Sequence, residues 1–255
     1  MANNHVMDFG TEGMSQLIAV PNGMDVQHFG AGFTYSEAMK PILVCHKGIR
    51  FGFVGFSWEP IESVGATISK AGVALIPQEG ELCQVVAGLR EQCDHVVVSF
   101  HWGYEYERYP LPLHRKLAHA VVDVGASVFI GHHPHAYQGI ESYKRALIYY
   151  SLGKLYMPRN QKPQADVGIV AIVEFACDSL NQLTILYSVR DRSTETLMIT
   201  KEYNPSPAIS DLSMPLGHND QVYERFFRLN RTRGKGLPVF TGSRMDTIRY
   251  AWFDL

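Results

Sequence analysis

Two short apolar runs with a helix between them constrain this chain most. His95–Phe100 is apolar and β-branched, as a buried strand should be. Residues 112–124 place Leu113, Leu117, Val121 and Val124 at helical spacing, and Gly125 stands where a helix C-cap belongs. Ser127–Ile130 is again apolar and strand-length. Strand, helix and strand in that order form a βαβ unit, which predicts a parallel pair with a right-handed crossover. Both strands then end at one edge of the sheet, where ligand sites of α/β proteins form. Histidines follow each of them: His101 after the first, and His132, His133 and His135 after the second.

The rest of the chain fits around this unit. Residues 11–20 read as a short helix with Thr11 as N-cap, and Ser36–Met39 as a helical turn before Pro41. Ile42–His46 and Ile49–Ser57 flank Lys47–Gly48, a hairpin signal. Residues 78–92 form a helix on Leu82, Val85, Val86 and Leu89. Alternating segments follow at 137–143 and 146–151, then strands at 168–176 and 182–190 joined by a turn at Asp178–Asn181. Beyond Asp191 the pattern weakens at Pro205, Pro207 and Pro215. Residues 219–229 are amphipathic, with Val222, Phe226 and Leu229 on one side, and Arg228, Arg231, Arg233 and Lys235 read as a solvated basic cluster. The expected class is α/β, with residues 1–190 as one domain and 191–255 as an extension packing on it.

Composition excludes several functions. Lys and Arg total 23 against 25 Asp and Glu, a net charge of −2, so no basic field exists to hold a nucleic acid. No apolar run approaches the length of a membrane span. The start, MANNHVMDFG, lacks the basic and apolar regions of a signal peptide, which as written points to the cytoplasm. Four cysteines without a C-x-x-C pair read as ordinary thiols.

The histidines carry the chemistry. Imidazoles gathered at one rim suit a borderline divalent cation. His133 and His135 are one residue apart, so both can point to the same side of an extended loop. The others read as ordinary residues: His114 solvated, His119 packed near its helix end, and His28, His46, His95 and His218 without a special role. Asn3-Asn4-His5 adds an amide oxygen for a metal and a ring that can protonate a leaving oxygen.

Taken together, ANNHVMDFG (2–10), IRFGFVGFS (49–57), VVSFHWGYEYE (97–107) and ASVFIGHHPHAYQGIESYKRALIYYSLG (126–153) resemble the CapA family of bacterial capsule (poly-γ-glutamate) synthesis proteins, within the calcineurin-like metallophosphoesterase superfamily. The resemblance covers roughly residues 2–190. It implies a four-layer α/β/β/α sandwich with two metal ions at the strand ends. It implies Asn4, His101, His133 and His135 as ligands of a divalent metal (manganese, iron or zinc) and His5 as the acid beside the scissile bond. Spacing leaves open whether His132 or His133 points inward. Asp8 is expected to hold the Asn-Asn-His loop through backbone hydrogen bonds, and Glu105 to orient a ligand histidine from behind. The implied partner is a phosphoester substrate or an anionic polymer. The alternatives are a non-catalytic polymer-binding component of capsule assembly and an inactive, truncated remnant.

The chain departs from that family at its start. Relatives carry a strand with Gly-Asp, then Asn-Leu-Glu, before the Asn-Asn-His segment, which here begins at residue 3. The expectation is therefore a sandwich lacking its first strand or strands, and a site without its aspartates. Two divalent ions about 4 Å apart repel, and neutral ligands do not offset that, so one ion rather than two is expected. Missing strands would leave a sheet edge and apolar surface exposed, either in a fragment of a longer product (the preferred reading) or in a homodimer that covers them. A longer native N-terminus would point to the cell envelope instead of the cytoplasm. Lys154 stands where relatives usually show Asn, placing a cation near the site.

Overall fold

Lys47 and Gly48 both take positive φ, 51° and 81°, the twist a two-residue hairpin needs, and the strands on either side pair in antiparallel register from Ile42↔Phe53 to His46↔Ile49. A computed structural model describes residues 1–157 and 166–230. Its helices are α1 (Gly10–Gly23), α2 (Tyr35–Met39), α3 (Glu79–Arg90), α4 (Pro112–Asp123), α5 (Ile209–Ser213) and α6 (Asp220–Asn230). Its strands are β1 (Ala31–Gly32), β2 (Ile42–His46), β3 (Ile49–Ser57), β4 (Gly72–Val73), β5 (His95–His101), β6 (Ala126–His132), β7 (Ile140–Tyr143), β8 (Ala146–Tyr149), β9 (Val167–Phe175), β10 (Leu180–Asp191) and β11 (Thr196–Thr200).

Six strands form one sheet in the order β2-β3-β5-β6-β8-β7, three form a second in the order β11-β10-β9, and β1 pairs with β4. The pairs β3–β5, β5–β6 and β6–β8 are parallel, and the βαβ reading required the second of them. The strands of the large sheet are two-faced. Val54, Phe56, Val96, Val98, Phe100, Phe129 and Ile148 pack with Leu82, Val86 and Leu89 of α3 and Leu117, Ala118 and Val121 of α4. The opposite face, with Val97, Val128, Leu147 and Tyr149, meets Ala171, Val173, Phe175 and Ile185 of the second sheet. The result is the expected mixed α/β arrangement of packed sheets with helices against the large one. Beyond Asp191, β11 extends the second sheet through β10, and α6 packs on α4.

β9 closes one edge of the three-stranded sheet, and a groove of 560 Å³ opens between the sheets. Phe53, Val97, Val128, Ile130 and Phe175 are among the apolar side chains that line it. No helix among the described residues is long and apolar enough to cross a membrane. All four cysteines are free thiols.

Three local expectations need correction. α1 starts at Gly10 with Phe9 as its N-cap, so Thr11 lies inside the first turn. α4 buries His114, Leu117, Ala118 and Val121, with Arg115 and Val122 beside them, a face rotated from the Leu113 stripe because Trp102 offers His114 a flat partner. α6 buries Tyr223 and Phe227, whereas Val222 and Leu229 face solvent. Of the basic cluster, Arg228 is exposed at the end of α6, and Arg231, Arg233 and Lys235 lie outside the described residues.

Gly131 shows how tightly β6 and β8 are drawn together below the histidine loop. A Cβ there would lie 1.8 Å from the Tyr150 carbonyl oxygen and 2.8 Å from the Trp102 indole nitrogen, which itself donates to that carbonyl. Both neighbours are buried and cannot yield cheaply. Gly131→Ala should therefore destabilise the protein by about 3 kcal/mol or more, as forced overpacking of a filled core does. A urea titration reads this directly, and an unchanged midpoint would contradict the packing described.

Candidate metal centre

His101 is the last residue of β5, and the parallel register sets it beside His132, the last residue of β6. The loops that follow are tied to each other through the backbone. Trp102 N–H donates to the His132 carbonyl at 3.0 Å, and Tyr106 N–H donates to the Pro134 carbonyl at 2.6 Å. The turn after β6 is sharp, with His133 at φ 94° and His135 at φ 60°. Tyr106, on the facing loop, is also left-handed at φ 64°. Three bulky residues in a region that L side chains rarely adopt, all at one rim, mark a place where the surrounding structure enforces conformation.

This geometry brings the histidines together. The ring centroids of His101 and His133 are 5.0 Å apart, and those of His133 and His135 are 5.6 Å apart. Two imidazoles on one tetrahedral cation, with metal–nitrogen bonds near 2.0–2.1 Å, would have centroids about 5 Å apart. His101 and His133 are each 9% exposed. Burial, followed by the charge of neighbouring histidines, lowers the His101 pKa to about 3. Burial and His135 lower that of His133 to about 4, against a contrary pull from Glu105. Both rings are thus neutral donors at pH 7, the form a metal requires. The Nδ1 of His133 is buried without a hydrogen-bond partner.

The N-terminal segment arrives at the same rim. The His101 Nε2–H donates to the Asn4 amide oxygen at 3.0 Å. The His5 N–H donates to the Asn3 side-chain oxygen at 2.8 Å, which shapes the turn. His5 is exposed, and its Nδ1 bonds the Asp8 carboxylate at 2.9 Å. Asp8 thus engages the His5 ring, where backbone hydrogen bonds had been expected. Among the described residues, no three His, Cys, Asp or Glu side chains meet at a single point suited to a cation as they stand.

The remaining sequence candidates fall elsewhere. His132 is half-buried and lines the groove between the sheets, so His133 is the one of the pair that turns toward His101. Burial and the chain's α-ammonium lower the His132 pKa to about 4. Glu105 is exposed, and its effect on His133 is one of charge. The buried carboxylate of that loop is Glu107, 3% exposed, whose Oε1 accepts from the backbone N–H of Arg108 at 2.9 Å and of Tyr109 at 3.3 Å. Lys154 is half-buried, and its charge acts on His133.

Two features escaped sequence reasoning. His114 is not solvated: it is 3% exposed, stacks on Trp102 at 4.1 Å and meets Trp58 edge-on at 5.0 Å. Tyr106 faces His135 at 5.9 Å. The dense aromatic run from His101 to Tyr109 was the available signal for both, since a loop so rich in rings has to bury them somewhere.

Known proteins agree on the family. The description "Bacterial capsule synthesis protein PGA_cap" matches residues 1–159. The capsule biosynthesis protein CapA of Bacillus anthracis is 29% identical over 219 residues, covering 83% of this chain and 50% of that protein. The PGA biosynthesis protein CapA of Bacillus subtilis (strain 168) is 32% identical over 171 residues, covering 66% of this chain and 44% of that protein. The chain thus spans about half the length of the curated relatives it matches. Among solved structures, a 5'-nucleotidase precursor from Thermus thermophilus overlaps with a TM-score of 0.45 at 16% identity, over 84% of this chain and 42% of that one. With more than half its length matched by the one description and with CapA proteins among its relatives, this chain belongs to the PGA_cap family of bacterial capsule synthesis proteins.

Proposed function

We propose that this chain serves bacterial capsule synthesis through a single-cation site at the rim of the large sheet, acting on a phosphoester or an anionic polymer. The observation that carries this reading is the approach of His101 and His133, both held neutral by burial, beside an exposed His5–Asp8 pair. His101, His133, His135 and Asn4 would hold the ion; His101 would exchange its bond to Asn4 for it. Manganese, iron and zinc all accept imidazole and amide donors. Among the described residues no carboxylate joins the rings, so the donor set suits one divalent ion rather than two.

A divalent ion bound there supplies Lewis-acid polarisation of a phosphoryl oxygen. The rest falls to the chain's own residues. Asp8 fixes the His5 ring by accepting from Nδ1–H, which leaves Nε2 facing solvent. From that position a protonated His5 can donate its Nε2 proton to a departing oxygen, leaving a neutral ring that Asp8 still holds in place through Nδ1–H. Lys154 at the edge of the site favours an anionic substrate.

Hydrolysis of bis(4-nitrophenyl) phosphate with added manganese tests the catalytic part. His5→Ala should lower the rate by about 10²–10⁴-fold while leaving cation binding intact, the usual cost of losing a positioned general acid. Absence of turnover with manganese, iron and zinc alike, together with polymer binding that survives chelation, would replace catalysis with a polymer-binding role.

A further inference from the structure

We propose that helix α6 is a strap that sets the loop 102–111 over the histidine rim, with Tyr223 as its positioning residue. This rests on the single-cation reading, but it concerns a part of the chain that the family description does not reach.

The contacts run without a break from α6 to the histidines. Tyr223 is 1% exposed, and its hydroxyl donates to the Pro110 carbonyl at 2.6 Å, at the far end of the loop. Phe226, one turn on, meets Tyr109 edge-to-face at 4.9 Å. Inside the loop, the buried Glu107 carboxylate accepts from two backbone N–H groups, and the Gln138 amide donates to the Glu107 carbonyl at 2.9 Å. Next comes Tyr106, left-handed, bonded to the Pro134 carbonyl and facing His135. Such a conformation in a tyrosine persists only where neighbours over-determine it.

α6 is itself firmly anchored. The Arg115 guanidinium, buried on α4, donates to the carbonyls of Leu216 and His218 at 2.9 and 2.8 Å, pairs with Asp220 at the start of α6, and lies 5.4 Å over the Tyr223 ring. Glu141, which Arg115 also reaches at 3.3 Å, is held by His119 and Tyr150. The helix is therefore a fixed post, and the loop is the part that would move without it.

Tyr223→Phe removes the hydroxyl and keeps the ring. We expect the Tyr106 amide to exchange with deuterium about tenfold faster, and cobalt(II) to bind the protein about three- to tenfold more weakly, with amides inside β5 and β6 unchanged. A lowered melting temperature with unchanged Tyr106 exchange overturns the proposal. Faster exchange with unchanged cobalt affinity overturns the link between strap and site. If the wild type takes up no cobalt, the single-cation reading fails by itself, and the exchange measurement still judges the strap. Should Tyr223→Phe not fold, Phe226→Leu loosens the Tyr109 contact at a half-buried position and is read in the same way.

Discussion

Lowering the pH of the metal-free protein from 7 to 5 is expected to cost it about 6 kcal/mol of stability. His101 and His114 are held down to about 3 and His133 to about 4, in each case chiefly by burial. In the unfolded chain these rings titrate near 6.5. Above that value both states hold the rings neutral and the rings contribute nothing to the pH dependence. Below it the unfolded state gains protons that the folded state refuses, so stability falls as pH falls. Each ring removes about 1.4 kcal/mol per pH unit below about 6.5 until its folded value is reached, so by pH 5 each has removed about 2 and the three together roughly 6. Against a total stability on the order of 5–15 kcal/mol, that is a large share. His132, half-buried and lowered to about 4, adds to the same trend. Circular dichroism with urea at each pH measures it. His114→Phe keeps a flat ring against Trp102 and removes one titration, so at pH 5 it should recover about 2 kcal/mol relative to wild type compared with their difference at pH 7.5. Stability that is level from pH 7 to 5 would refute the burial assigned to these rings.

Titration with zinc or cobalt is expected to saturate at one ion per chain, and His133→Ala to weaken that binding by at least about a hundredfold. Two doubly charged ions 4 Å apart repel by about 4 kcal/mol even in bulk water, and by roughly four times that where the effective dielectric constant is near 20. Neutral imidazoles and an amide do nothing to cancel it. His133 stands between the other two rings, 5.0 Å from His101 and 5.6 Å from His135, so its loss separates the remaining donors. The effect should exceed the 10–100-fold typical of residues that merely support a ligand. His46→Ala, at an exposed position on the edge strand β2, is the control and should change nothing. Native mass spectrometry counts the ions and competition with a chromogenic chelator gives the affinity. Two ions at micromolar affinity would refute the single-ion expectation.

Much of the scaffold was legible from hydrophobic period alone. The hairpin at Lys47–Gly48, the βαβ unit and the pair of long strands near the end of the described chain all appear within a residue or two of their expected bounds. Each is a local pattern: alternation, helical spacing, or a turn dipeptide that tolerates positive φ. The stripes of α4 and α6 were misjudged for a shared reason. Histidine, arginine and tyrosine carry enough apolar surface to be buried when a flat or hydroxyl-accepting partner exists, and that partner is distant in sequence. His114 finds Trp102, Arg115 finds the carbonyls of Leu216 and His218, and Tyr223 finds Pro110.

The sequence by itself determined that two parallel strands end in histidines at one edge, because a βαβ connection leaves no other arrangement. It did not determine which rings face one another. That depended on the left-handed turn at His133 and His135, which sends His132 toward the groove and His133 toward His101. Nor did it determine that Asp8 grips the His5 ring, or that Glu107 rather than Glu105 is the buried carboxylate. Those outcomes are set by side-chain direction and by desolvation, and both belong to the assembled fold.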